Sequence, residues 1–460
     1  MRHRGAEEQR TNLTDRTDPT DRADLFDLSN IEAVLAGALD KARALGASGA
    51  KVAYRQSRRT GCRFENARLK SVASARGASY TVTVLADGRR GVAGGTSLAD
   101  LDEIVARAAA MAKVGSASHF SAWPAPAATA SVPRWSDRTA KLPRETLVDA
   151  CRRIADALKA YRDDLYVEGG ASRSEGEGLL LTTGGVRHMS RGTHWSISAE
   201  AQRTEGTDML FAGFGRGWRD VNELFDPAAI AEHILADLRR GERTAPSPAG
   251  RTTAVLSPEM FGMLLHAVEM GVNGRNVAKG DSPLRGRIGQ KVLDECLTLT
   301  DDPHVAMSPG AAEIDADGVP TRKMTIFDRG VLQGFLYDLD SAALAGAEPT
   351  GHDGCMTHNL QVLPGRRGSE EMLADVADGV YLKMLMGFGQ GNLINGDFSC
   401  NVALGFRVRG GEIVGRVKNT MAAGNVYELL AGGVELSRDR DPALLLPHAR
   451  VEGLSLAAEK

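Results

Sequence analysis

Apolar residues first recur at helical spacing beyond Leu25. Ile31, Val34, Leu35, Ala38 and Ala42 share one face of a 3.6-residue period. Ser29 and Glu32 stand in capping-box positions ahead of them, and Gly46 marks the stop. The period then falls to two. Tyr80, Val82 and Val84 alternate with Thr81 and Thr83, Asp87-Gly88 supplies a tight turn, and Gly91-Val92 opens the returning strand. Helical spacing returns after Ser97 with Leu98, Leu101, Ile104, Val105 and Ala108. An Ala-, Pro- and Ser-rich loop at 122–133 precedes a helix predicted over 144–161, strands over 178–183, 186–190 and 194–202, and a helix over 227–240.

The stretch 241–250 is polar and holds Pro246 and Pro248, so a domain boundary is predicted there. Beyond it a helix is expected over 258–271. Short strands follow, broken by the turns Asp328-Arg329-Gly330 and Arg409-Gly410-Gly411, with an amphipathic helix over 370–386 between the two hairpins. These patterns predict an α+β fold in two domains: an N-terminal mixed α/β, sandwich-like domain (25–240) and a C-terminal, hairpin-rich, mainly antiparallel β domain (250–450). Residues 1–24 alternate Arg, Asp, Glu and Thr with no apolar stretch, which predicts a disordered tail and no secretory signal.

Composition narrows the function classes. Charged residues make up 25% of the 460, and 56 basic against 59 acidic residues leave a formal net charge of −3. No global field draws such a chain to nucleic acid or anionic lipid, and no apolar run is long enough to cross a bilayer. The five cysteines, Cys62, Cys151, Cys296, Cys355 and Cys400, form no C-x-x-C pair. A disulfide framework or thiolate zinc knuckle is therefore not expected, and a reducing, cytoplasmic location is.

Several short motifs then follow one another in a telling order. Gly61-Cys62-Arg63-Phe64-Glu65-Asn66 and 86–93 (Ala-Asp-Gly-Arg-Arg-Gly-Val-Ala) stand in the first half. Ile288-Gly289-Gln290-Lys291-Val292, Asp301-Asp302-Pro303-His304, Asp315-Ala316-Asp317-Gly318-Val319, Gly351-His352, Met386-Gly387-Phe388-Gly389, Asn395-Gly396-Asp397-Phe398-Ser399 and Ala422-Ala423-Gly424-Asn425 stand in the second. In this order they resemble the TldD/PmbA family, and the resemblance runs from about Ile31 to Leu430. It implies a metalloprotease fold whose active members carry His-Glu-x-x-x-His on a helix and a cysteine near the C-terminus. Two imidazoles one turn apart hold Zn²⁺, and the adjacent carboxylate takes a proton from the bound water.

This chain departs from that motif. Aligned on Gly271, the two histidine positions are Leu265 and Met270 and the glutamate position is His266; a one-residue shift puts Ala267 and Gly271 where ligands belong. The cysteine position falls at Val402, with Cys400 two residues earlier and on the same strand face. The resemblance therefore implies a PmbA (TldE)-like subunit with no catalytic residue and no metal of its own, zinc being supplied by a TldD-type partner. That partner would form a heterodimer with it (a homodimer being the alternative), and the pair would trim unfolded peptides. Peptide-cavity candidates are His266, Glu269, Arg275, His352, Asp353 and His358. Two other readings stay open: a stand-alone metallopeptidase using His266, Glu269, His352 and Cys400, and a peptide-binding module without catalysis.

Overall fold

The computed structural model describes residues 28–458, apart from the side chain of Ser29; the predicted tail 1–24 lies outside the described residues. The first half runs α1 (Ser29–Ala44), β1 (Gly49–Glu65), β2 (Arg68–Ala86), β3 (Arg89–Gly95), α2 (Leu101–Ala112), α3 (Asp137–Ala140), α4 (Arg144–Tyr161), β4 (Tyr166–Thr182), β5 (Arg187–Glu205), β6 (Asp208–Trp218) and α5 (Pro227–Arg240). The six strands form one antiparallel sheet in the order β3-β2-β1-β4-β5-β6. Successive side chains point to opposite faces of a strand, and the two faces of this sheet differ. Val52, Tyr54, Val82 and Val84 pack with α1 and α2, while Cys62, Phe64, Ala171, Trp195 and Ile197 pack with α4 and α5. The opposite face presents Ala53, Arg55, Ser57, Arg59 and Gly61 from β1, opposite Ser172, Ser174, Gly176, Gly178 and Leu180 from β4.

The second half runs β7 (Gly250–Leu256), α6 (Pro258–Val272), α7 (Gly274–Lys279), β8 (Leu299–Asp301), β9 (Met324–Asp328), β10 (Val331–Leu332), α8 (Leu339–Ala345), β11 (Leu360–Val362), α9 (Ser369–Ala374), β12 (Asp378–Met386), β13 (Asp397–Arg409), β14 (Glu412–Arg416), β15 (Thr420–Asn425), α10 (Val426–Leu430), β16 (Glu435–Arg440) and β17 (Pro447–Ala458). Pairing passes from β12 to β7, β17, β15 and β13, and β13 pairs again with β12, so five strands close on themselves. Closure removes free sheet edges. Only β7 and β12 run parallel within it. A small antiparallel sheet, β10-β9-β8-β11, lies beside it.

Alternate residues of the ring feed two cores. Ala254, Leu256, Val380, Leu382, Val451 and Leu456 pack with Phe261, Leu264, Leu265 and Val268 of α6. Val255, Tyr381 and Phe406 pack with Ile154, Ile230 and Ile234 of α4 and α5, so the two halves share a hydrophobic core. Burying this apolar area is worth about 25 cal/mol per Å².

Two local expectations are corrected. The helix over 370–386 ends at Ala374, and Asp378–Met386 is a strand of the ring. Its apolar residues are buried on both faces, which erases the period-two signal. At α1 the cap position falls on Leu28 with no side-chain cap bond, and Glu32 instead pairs with Arg187 at 2.6 Å.

Candidate functional site

The resemblance would place the zinc motif of active members on helix α6. Ser257 caps it by accepting from the Met260 N–H, and Pro258 fits the first turn, where no backbone donor is needed. Leu265 is wholly buried in the core, and Met270 is half-buried. His266 is exposed, and its Nδ1 lies 3.3 Å from the Glu269 carboxylate, whose other oxygen accepts from the Thr357 hydroxyl. The Glu269 carboxylate beside His266 raises the imidazole pKa above its ordinary value, against the opposing effect of burial. Cys400 is buried on β13, and burial pushes its thiol up to about 11. A zinc-binding cysteine must be a thiolate, so a raised thiol pKa opposes that role.

The residues therefore do not fit zinc at this place. The stand-alone set of His266, Glu269, His352 and Cys400 is not assembled either. Among the described residues, the group of three whose ligand atoms lie within 4.8 Å of one another is Asp301, His352 and His358.

That group is satisfied without a cation. Asp301, at the end of β8, is fully buried. One of its oxygens accepts the backbone N–H groups of His358 and Asn359 at 2.8 and 2.7 Å, and the other faces the imidazoles of His352 and His358 at 3.0 and 3.1 Å. Burial opposes the charge on Asp301, but these hydrogen bonds outweigh it and hold the carboxyl well below the usual range. The second nitrogen of His352 meets the Thr350 hydroxyl at 2.8 Å. His352 thus lies wholly in the interior, and His358 is nearly buried. Together they brace the 351–359 loop against β8.

The remaining candidates separate. Arg275 is held by Asp338 at 2.6 Å. Asp353 is exposed and lines a cavity of about 680 Å³ between the open face of the six-stranded sheet and the 314–316 loop. The same cavity is walled by Arg55, Arg59, Arg134, His188, His194, Arg219 and Asp315, none of which the motif order singled out as site residues. Beyond Arg59 it adjoins a second hollow of about 770 Å³ lined by Gly61, Ser172, Ser196 and Ser198. Burial drives Asp315 up to about 7, helped by the charges of Asp353 and Asp317 and opposed by the Val319 and Asp317 N–H groups. Burial, then the neighbouring Arg134 and Arg55, lowers Arg219 to about 10. The spacing of Arg55 and Arg59, four residues apart within an alternating strand, was the available signal for this wall.

Comparison with known proteins agrees with this architecture. The family description "PmbA/TldA metallopeptidase C-terminal domain" matches residues 249–458, and "PmbA/TldA metallopeptidase domain 1" matches 50–112, together more than half of the chain. A metalloprotease of Methanothermobacter thermautotrophicus is 27% identical over 397 residues, covering 81% of this chain and 84% of the relative. Metalloprotease PmbA of Escherichia coli O157:H7 is 27% identical over 325 residues, covering 68% of this chain and 70% of PmbA. Among solved structures, TldE from Thermococcus kodakarensis superposes with a TM-score of 0.83 at 23% identity, covering 92% of this chain and all of TldE. No helix among the described residues is long and apolar enough to cross a membrane. With this fold, these motifs in order and both family descriptions matched, the chain belongs to the TldD/PmbA family of peptidases.

Proposed function

We propose that this chain is the non-catalytic, PmbA (TldE)-like subunit of a cytoplasmic, TldD-type zinc protease that trims unfolded peptides. The observation that carries this reading is the state of α6. The positions where active members place their imidazoles hold a buried Leu265 and a half-buried Met270, and His266 is engaged by Glu269. The thiol that would complete a metal site is buried and held protonated by its surroundings. Three or four converging ligands are the minimum for a zinc centre, and α6 offers one imidazole.

In this role the chain's work is to wall the chamber and hold peptide, while a partner performs the cleavage. The two subunits share a fold, so they meet through a pseudo-symmetric, homodimer-like interface. The test is cleavage of an unstructured peptide by the purified chain alone, by a TldD-type subunit alone and by their mixture. Turnover confined to reactions that contain the TldD-type subunit, and raised by adding this chain, supports the reading. Chelator-sensitive turnover by this chain alone overturns it.

A further inference from the structure

The 680 Å³ cavity has charges of opposite sign at its two ends. Its position along the sheet can be read from the strand register. The acidic end lies over the row of Ala53, Leu180 and His188. There Lys51 Nζ contacts the Ala316 carbonyl at 2.8 Å and Asp317 at 2.6 Å, which pins the 315–317 turn to the sheet. One oxygen of Asp315 accepts the Asp317 and Val319 N–H groups. Its other oxygen, Oδ2, is buried without a hydrogen-bond partner, and the side chain is only 3% exposed. Asp353, which accepts from the Ala316 N–H, stands beside it.

The cationic end lies farther along the strands, over the rows Ser57–Gly176–Gly192 and Arg59–Ser174–His194. Arg219 crosses the sheet at Gly192 and, among the described residues, donates to the carbonyls of Ser308, Pro309 and Ala311. Arg59 meets the Ser172 hydroxyl, and among the described residues neither it nor Arg55 has a carboxylate partner. Of the acidic groups at this end, Glu175 is held by Arg58 and Arg173, and Glu177 feels the charge of Arg191 across the strand pair. Arg59 and Arg219 therefore leave positive charge facing this end of the cavity, and Arg55 stands nearer the middle, one row from Ala53.

Six residues of strand separate the Ala53 row from the Arg59 row. At about 3.3 Å per residue this is about 20 Å, the span of an extended peptide of about five or six residues. A free amino acid is too short to reach both ends. Between them the wall is Gly178 and Ser190, whose small side chains leave room for a bound residue, with Arg55 beside them in the same row.

We propose that this cavity binds a short extended peptide by its two charged ends, the ammonium at Asp315 and Asp353 and the carboxylate at Arg59 and Arg219. This deepens the peptide-processing reading: the chain would measure peptide length and free ends while ignoring side-chain identity. Charge complementarity at both ends favours this occupant over an apolar or purely anionic one.

The test is isothermal titration of the full chain, without any partner, with the pentapeptide Ala-Gly-Leu-Gly-Ala. Four forms are used: free ends, N-acetylated, C-amidated, and both. Each cap is expected to weaken binding about tenfold or more. D353N should abolish the penalty of acetylation and leave that of amidation, and R59Q should do the reverse. Binding of all four forms within about twofold, or no binding of the free peptide at millimolar concentration, overturns the proposal. The peptide caps need no variant, so the result stands even if a substitution unfolds the chain. Because binding is read here without cleavage, failure of this proposal is distinct from failure of the subunit assignment, which is read from turnover.

Discussion

At the scale of single residues, two buried carboxylates behave in opposite ways, and each makes a prediction. Asp301 is surrounded by four donors, so its charge is fully matched. Asp301→Ala leaves two imidazoles and two backbone N–H groups facing an empty interior, and a loss of about 3–5 kcal/mol is expected in denaturant titration. Near wild-type stability would show that the loop is held by something else. Asp315, by contrast, has an unpartnered oxygen and is driven up to about 7. In the unfolded chain its pKa is about 4. The folded state thus keeps an extra proton between these values, and stability falls as pH rises through that window. Asp315→Asn removes the titration while an amide oxygen still serves the Asp317 and Val319 N–H groups. The variant should gain on the parent from about pH 4 to about pH 7, by on the order of 2–4 kcal/mol above it. Parallel stability profiles for the two proteins would refute this.

At the scale of elements, legibility in the sequence followed burial on one face or two. Helices α4 and α5 were readable because each buries a single stripe, Leu147, Ile154 and Leu158 in one and Ile230, Ile234 and Leu238 in the other. Strand β12 was not readable. Val380 and Leu382 point into the ring while Tyr381 packs against the first half, so its apolar run carries no alternation. Strand β1 escaped for the reverse reason. Its middle, Gln56 to Arg59, is polar on both faces, because one side lines the cavity and Arg58 on the other pairs with Glu175. The candidate site was legible only where motif and geometry coincide, as at Asp353. His352 and His358 stand within seven residues of each other, but their partner Asp301 is 51 residues from the first and 57 from the second, and spacing carries no trace of that contact. Glycine positions show how tightly the elements approach. A Cβ on Gly91 would lie 2.0 Å from the Ala108 carbonyl and 2.3 Å from the Ala112 nitrogen, so Gly91→Ala must push α2 off β3. A cost of about 1–3 kcal/mol is expected, with α2 amides losing protection in hydrogen exchange first. Unchanged protection across 101–112 would contradict this packing.

At the scale of the whole molecule, the two halves are joined by a shared core and by a buried polar contact within it. Lys383 on β12 reaches Asp237 on α5 at 2.6 Å and His233 at 2.6 Å, and both charged side chains are almost fully buried. Burial first, and then the charge of Lys383, lowers His233 to about 3, so it serves as a neutral acceptor. Removing one partner of such a pair strands the other: Lys383→Met should cost about 3–5 kcal/mol, and adding Asp237→Asn should recover much of it. Additive losses in the double variant would show that the pair is not coupled.

The central proposal is that this chain, a member of a metallopeptidase family, holds no zinc centre of its own. Its most direct test is the metal content of the full chain, purified without a partner after equilibration with a slight excess of Zn²⁺ and removal of free ion. The account predicts far less than one zinc per chain, and no change on His266→Ala. Zinc at about one per chain, lost on His266→Ala or Cys400→Ser, would mean that α6 and β13 rearrange into a metal site, and the chain would have to be regarded as a protease in its own right.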